Sequence, residues 1–258
     1  MADTDDIRKG LDGVLVDKTA VSKVMPETNS LTYRGYAVQD LAKHCRFEEV
    51  AYLIWMGELP NQAQLDEFTA KERKYRTLPP DLLYILKMFP PDGHPMDALR
   101  TVISYLGMED HQTEDNSPEA NLEKSIRMMA RIPTALAAFH RSRRNMLPID
   151  PNPKLSFAEN FFNMCFGEVP EPEVVRCFDI SLTLYAEHSF NASTFAARVI
   201  TSTLSDIYGA VAGAIGALKG PLHGGANEAV MHMLLEIESP EKAQDWIDDA
   251  LANKKTVM

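Results

Sequence analysis

One loop has the residue types and spacing for chemistry. In GPLHGGANE, residues 220–228, a histidine stands between Gly220-Pro221 and Gly224-Gly225. Gly-Pro stops whatever helix precedes it, and the following glycines free the backbone after His223. Asn227 is placed to cap a helix carrying Val230, Met233, Leu234 and Ile237. His223 would then stand at the positive end of that helix, which disfavours imidazolium and keeps the ring neutral. A neutral imidazole can donate a hydrogen bond to a carbonyl oxygen without a net charge to solvate. The alternative is a histidine that only fills a turn. Glycines on both sides leave the ring accessible, which favours the chemical reading.

A second stretch, YAEHSFNASTF at 185–195, places Tyr185, His188 and Asn191 at i, i+3 and i+6. On a helix these would drift slowly around one face and aim three polar groups in one direction. Leu182, Leu184, Phe190 and Phe195 surround them, so the polar groups are either satisfied inside a core or serve a ligand. The two readings stand level. Glu187 reads as an exposed or paired carboxylate rather than a base.

Between these motifs, Gly209, Ala210, Ala212, Gly213, Ala214, Gly216 and Ala217 put small side chains around most of a helix. Each interior glycine costs roughly 1 kcal/mol against alanine, so another backbone is expected close by. Helix packing or a subunit interface supplies that neighbour. Arg141, Arg143 and Arg144 suit the negative end of a helix better than a phosphate clamp. His94 before Pro95 reads as an N-cap region, and Met128-Met129 as core filling. Walker, GxGxxG, GxSxG and HExxH patterns are absent.

The elements that must carry these groups read as all-α. Phe47, Val50, Ala51, Ile54 and Trp55 mark a helical stripe closed by Gly57 and Pro60. Pro95 opens a helix running to Gly107 as its C′ residue. Residues 109–118 form an exposed acidic loop, and a helix through Ile126, Met129, Ala130 and Ile132 follows. Further helices are expected at 155–166, 173–187, 191–204, 205–219, 228–237 and 241–253, the last opened by Ser239 and Pro240. Only the start of the chain is β-prone: Val14–Val16 and Leu31–Tyr36, separated by a turn at Pro26–Asn29, form a small ribbon.

Composition sets the boundaries. The 258 residues are 45% apolar and 24% charged, as in a soluble globular chain. A net charge of −11 has the wrong sign for a diffuse nucleic-acid binder or a polybasic membrane protein, so neither partner is expected. Cys45, Cys165 and Cys177 are odd in number and far apart, with no CxxC or Cys/His ligand spacing, so neither a disulfide framework nor a zinc site is suggested. The first ten residues are polar and acidic, unlike a targeting peptide, and the expected location is cytoplasmic.

At the two histidine motifs the chain resembles the citrate synthase family. YAEHSFNASTFAAR (185–198) and GPLHGGANEAV (220–230) carry the resemblance, and earlier blocks follow in order: GLDGVLVDKTAVSKV (10–24), LTYRGYAVQDLA (31–42), FEEVAYLIWMGELP (47–60), HPMDALRT (94–101) and FAENFFNMCFG (157–167). The YAEH of 185–188 is similar to the 2-methylcitrate synthase branch, where citrate-preferring enzymes more often have His-Ala-Asp-His. The resemblance implies condensation of propionyl-CoA or acetyl-CoA with oxaloacetate and hydrolysis of the thioester. It implies that His223 hydrogen-bonds the thioester carbonyl and that His188 and Asn191 bind oxaloacetate. It implies no metal or cofactor, CoA as a substrate, a homodimer, and a large helical domain closed over by a smaller one. On that pattern residues 1–36 are an N-terminal ribbon segment, 37–222 the large domain and 223–258 the beginning of the small domain. Family members continue beyond the part matching Thr256-Val257-Met258 with a second catalytic histidine, an aspartate base and carboxylate-binding arginines. The chain resembles about the first two thirds of such an enzyme. Two readings stay open: part of a complete enzyme, or a short non-catalytic helical module that dimerises and binds a dicarboxylate.

Overall fold

The computed structural model describes residues 17–255 and 257. Near the start, β1 (Ser22–Met25) pairs antiparallel with β2 (Ser30–Tyr33), Ser22 opposite Tyr33 and Met25 opposite Ser30. The connecting turn, Pro26–Thr28, closes on Asn29 in the left-handed region, which a short polar side chain tolerates. Arg34 and Gly35 both take positive φ, 48° and 93°, and turn the chain into β3 (Tyr36–Ala37). The expected Leu31–Tyr36 run is therefore two strands broken by a tight hairpin. The other expected strand, Val14–Val16, lies outside the described residues, and Ser22–Met25 is the observed partner.

Everything after the ribbon is helical, so the all-α expectation holds. The helices are α1 (Val38–His44), α2 (Phe47–Met56), α3 (Gln62–Tyr75), α4 (Pro80–Met88), α5 (Pro95–Glu109), α6 (Pro118–Ser142), α7 (Phe157–Phe166), α8 (Pro172–Leu184), α9 (Ala192–Thr201), α10 (Ile207–Leu218), α11 (Gly225–Ile237) and α12 (Ala243–Ala252). The stripe on α2 ends as its sequence dictates, with Gly57 at φ 94°. Three departures from the expected boundaries bear on the packing or on the site. Gly107 lies inside α5 rather than capping it, because the Tyr208 ring packs where its side chain would be: a Cβ there would sit 2.9 Å from Tyr208 Cβ. Ser239 makes no side-chain cap, and Pro240–Lys242 is a single tight turn before α12. The third, the end of α8, bears on the site below.

The 25-residue helix α6 is the spine, packing against α3, α4, α5 and α7. Leu82 and Leu86 of α4, Leu99, Val102, Ile103 and Leu106 of α5, Ala135 and Phe139 of α6, and Tyr208 and Ile215 of α10 share one buried cluster. Burying aliphatic and aromatic side chains on this scale, at about 25 cal/mol per Å² of apolar surface, fixes α10 against α5. The acidic loop 109–118 is less free than its composition suggests. Asp110 accepts from the Tyr208 hydroxyl at 2.6 Å and pairs with Arg127 at 3.3 Å, and the buried Lys124 donates to the carbonyls of Thr113 and Asp115. Through Tyr208 this loop fixes the start of the helix that leads to His223.

Candidate active site

Helix α8 stops at Leu184, and the chain runs without helix from Tyr185 until α9 begins at Ala192. Tyr185, His188 and Asn191 therefore do not share a helical face, which corrects the spacing argument. Two ribbon residues determine the stop. The buried Tyr33 hydroxyl lies 3.0 Å from the carbonyl of Thr183, which also accepts from the Ala186 N–H, and 3.1 Å from that of Leu184, so its one proton is shared between two carbonyls at the helix end. Burial pushes the Tyr33 phenol up to about 12, and the neighbouring Glu187 charge adds to the rise, so it stays a donor at neutral pH. Ser22 donates to Glu187 at 2.9 Å, and Glu187 also accepts from the backbone N–H of Ser189, whose φ is 72°. Glu187 is thus a half-buried carboxylate held by a hydroxyl and a backbone N–H rather than the exposed or paired one expected, and it pins the turn that presents His188.

His188 is exposed, and no side chain hydrogen-bonds to it among the described residues. Asn191 is the N-cap of α9, its Oδ1 accepting from the Thr194 N–H at 2.8 Å. Tyr185, 71% exposed, reaches across to donate to Asn227 at 3.3 Å. Arg198, in the same motif, lies over the Phe190 ring with 4.5 Å between guanidinium carbon and centroid.

His223 sits in the six-residue link, 219–224, that joins α10 to α11, its N–H bonded to the Gly220 carbonyl at 2.9 Å. Asn227 does not cap α11, which starts two residues earlier at Gly225; Gly224 precedes it with φ −63°. The glycines after His223 therefore supply space, not unusual dihedrals. A Cβ on Gly224 would lie 2.6 Å from the Leu218 carbonyl oxygen, and one on Gly225 would lie 2.9 Å from the carbonyl oxygens of Lys219 and Gly220. The turn folds back so tightly on the end of α10 that only hydrogen fits. On α10 the same logic holds at Gly213, where a Cβ would meet Ile200 of α9 at 2.2 Å, whereas one on Gly216 would make only an ordinary 3.6 Å contact with Arg100 of α5. The close neighbours of this stripe belong to the same chain.

The two motifs meet at a residue the sequence reading passed over. Ser193 Oγ lies 3.0 Å from His223 Nε2 and 2.6 Å from Asn191 Oδ1. The Thr194 amide fixes which Asn191 atom is oxygen, so Ser193 has two neighbours and one proton to give. With that proton on Asn191, His223 must donate through Nε2. With it turned to His223, the neutral ring carries its proton on Nδ1 instead. Position 193 thus links the histidine of one motif to the asparagine of the other, though nothing in its spacing marked it out.

Two other polar clusters act at helix ends. A cavity of about 280 Å³ is lined by Arg46, Ser156, Glu159, Arg176 and Asp179. Its carboxylates cap helices: Asp179 accepts from Phe47 N–H at 3.1 Å, and Glu159 from Ser156 N–H at 2.8 Å. Arg141 donates to the carbonyls of Leu147 and Cys165, and Arg144 to that of His140, the helix-end role expected of that cluster. Among the described residues no group of three or more His, Cys, Asp or Glu is placed to hold a metal ion, and no helix is long and apolar enough to cross a membrane.

The helical body that brings these two histidine-bearing turns together matches solved citrate synthases. The fold superposes on the crystal structure of citrate synthase from Thermotoga maritima with a TM-score of 0.86 at 40% identity, covering 98% of this chain and 66% of that one. It superposes with a TM-score of 0.90 at 30% identity on the Thermoplasma acidophilum citrate synthase in ternary complex with carboxymethyl coenzyme A and oxaloacetate, covering 97% and 66%. The chain belongs to the citrate synthase family, whose C-terminal domain model matches residues 10–258. It is 60% identical over 252 residues to a citrate synthase of Mycolicibacterium smegmatis, covering 98% of this chain and 67% of that protein. It is 58% identical over 253 residues to a 2-methylcitrate synthase of Mycobacterium tuberculosis, covering 98% and 64%. The chain spans about two thirds of the length of these relatives.

Proposed function

We propose that the protein condenses an acyl-CoA with oxaloacetate and, with one water, releases CoA and a tricarboxylate. Family membership supports the reaction class, and the hydrogen-bonded line His223–Ser193–Asn191 carries the assignment of residues. His223 is the donor to the thioester carbonyl as its α-carbon loses a proton, and His188 and Asn191 hold oxaloacetate. Donation through Nδ1 requires Ser193 to turn its hydroxyl to Nε2, so the working tautomer depends on that serine. A preorganised donor aimed at a developing oxyanion contributes about 10²–10³ in rate. Replacement of His223 by alanine in the full-length protein is expected to cost at least that in kcat; turnover close to wild type would remove His223 from the mechanism.

Propionyl-CoA is the acyl substrate in our reading, giving 2-methylcitrate, with acetyl-CoA also accepted. The YAEH of 185–188 and the relative named 2-methylcitrate synthase support it. Citrate synthase is the equally supported alternative, since the 60% identical relative carries that name. The ratio of kcat/KM for the two thioesters decides, and a clear preference for acetyl-CoA refutes propionyl-CoA. CoA acts as a substrate, with no metal or prosthetic group. The working form is a cytoplasmic homodimer in which 37–222 is the large domain, preceded by the ribbon segment 1–36, and 223–258 begins the small domain. A monomer in sedimentation at micromolar concentration would contradict the dimer.

A further inference from the structure

The His223 turn is gripped on both sides by the first turn of a distant helix. His94, the N-cap of α5, accepts from the Met96 N–H through Nδ1 at 3.1 Å. A neutral ring so used carries its proton on Nε2, and that nitrogen lies 3.3 Å from Glu228 Oε2, in the first turn of α11. In the same first turn of α5, Asp97 accepts from Lys219 Nζ at 2.6 Å, at the end of α10, and from Arg100 at 3.1 Å. Lys219 and Glu228 bracket the turn: one precedes His223 by four residues, the other follows it by five. All four side chains are between a third and three fifths exposed, so the pairs add little to global stability.

We propose that His94 and Asp97 are positioning residues, which clamp α11 to α10 across the 220–224 turn and so aim the His223 ring. The proposal rests on His223 being catalytic only for its kinetic consequence; the clamp itself is read on the folded chain. His94→Asn keeps a good helix cap but is too short to reach Glu228, and Glu228→Ala removes the acceptor that Glu228→Gln retains. Amide exchange at Gly225, Ala226 and Asn227, which bond to Gly220, His223 and Gly224, reports the turn directly. His94→Asn and Glu228→Ala are each expected to speed that exchange roughly 1.4- to fivefold, the factor an exposed pair gives. The double variant should go no further than either single one, α6 amides should be unmoved, and Glu228→Gln should behave as wild type. In the full-length enzyme kcat should fall by a similar factor with KM for oxaloacetate unchanged, again restored by Glu228→Gln. Unchanged exchange in both single variants, or additive effects in the double, would overturn the clamp whatever the enzyme assay shows. Altered exchange with unaltered kcat, where His223→Ala is also fully active, would keep the clamp and reject the catalytic reading. Altered exchange with unaltered kcat, where His223→Ala is inactive, would overturn the positioning role.

Discussion

Gly224→Ala separates two reasons for a glycine. At φ −63° and ψ −27° alanine is conformationally welcome, and the substitution would ordinarily stabilise by about 0.4–1 kcal/mol through the unfolded chain. Space argues the other way. The new Cβ would stand 2.6 Å from both the Leu218 carbonyl oxygen and Leu218 Cδ1. The leucine methyl can rotate away, but the carbonyl belongs to the last turn of α10. Relief needs a shift of roughly 0.8 Å to restore an ordinary contact, and overpacking of this kind costs about 1–3 kcal/mol. The balance is a net loss of up to about 2.6 kcal/mol, about 1.3 at mid-range, or roughly 3–5 °C in Tm for a chain of this size at that midpoint. Thermal unfolding followed by circular dichroism reads it without any ligand. Gly57 is the control: its φ is 94° and a Cβ there meets nothing within 4 Å. Alanine at 57 should cost about 1–2 kcal/mol through the backbone and asparagine should recover most of it, whereas asparagine at 224 should do no better than alanine. A Gly224→Ala protein that melts at or above the wild-type temperature would refute the spatial argument.

Three further outcomes follow from the same geometry. Tyr33→Phe leaves the carbonyls of Thr183 and Leu184 short of a buried donor and should cost about 1–3 kcal/mol in urea unfolding, with faster amide exchange confined to 184–191. Ser193→Ala frees His223 Nε2, so ¹⁵N shifts of the ring should show a tautomer ratio changed by about fivefold, the weight of a hydrogen bond near 1 kcal/mol; an unchanged ratio would detach Ser193 from the ring. Burial works to raise the Asp110 carboxyl, but the Tyr208 hydroxyl, the Gln112 N–H and the Arg127 charge together hold it below the usual carboxylate range. A folded value below the unfolded one means stability that is present above about pH 4 and lost as the pH falls through the folded value. The stability gap between wild type and Asp110→Asn, measured by urea unfolding, should therefore narrow from pH 7 toward pH 3.

Periodicity made most of the helices legible because each buries one stripe, and the stripe on α2 or the spine through Ile126 and Ala130 needs no tertiary information. Misreadings fell where a long-range contact overrode local pattern. Residues 173–187 look helical throughout, yet Tyr33, some 150 positions earlier, takes the last carbonyls and turns the chain out at Tyr185. Gly107 looks like a stop signal because glycine commonly is one, and only the Tyr208 ring shows why the helix runs on. The small-residue stripe of α10 was read correctly as a demand for close neighbours. Composition alone does not say whether the neighbour is a second copy or, as found, α5 and α9.

The candidate site divides differently. Histidine between glycines marked the turn, but the glycines answer to close packing on the end of α10, at Leu218, Lys219 and Gly220, rather than to open surface around the ring. What sequence does not show is the direction of a proton. That depends on Ser193 having one hydrogen for two acceptors, and on a backbone amide at Thr194 deciding which end of Asn191 is oxygen. Nor does it show that an ordinary helix cap can have a second task. His94 spends one ring nitrogen on the Met96 amide, as capping predicts, and that same bond commits the other nitrogen to donate to Glu228. Capping thus fixes the tautomer, the tautomer fixes the partner, and the partner sits one turn into the helix that begins beside His223. A serine or asparagine would cap α5 as well, but neither could make the second bond, so the choice of histidine at 94 belongs to the turn at 223 rather than to α5.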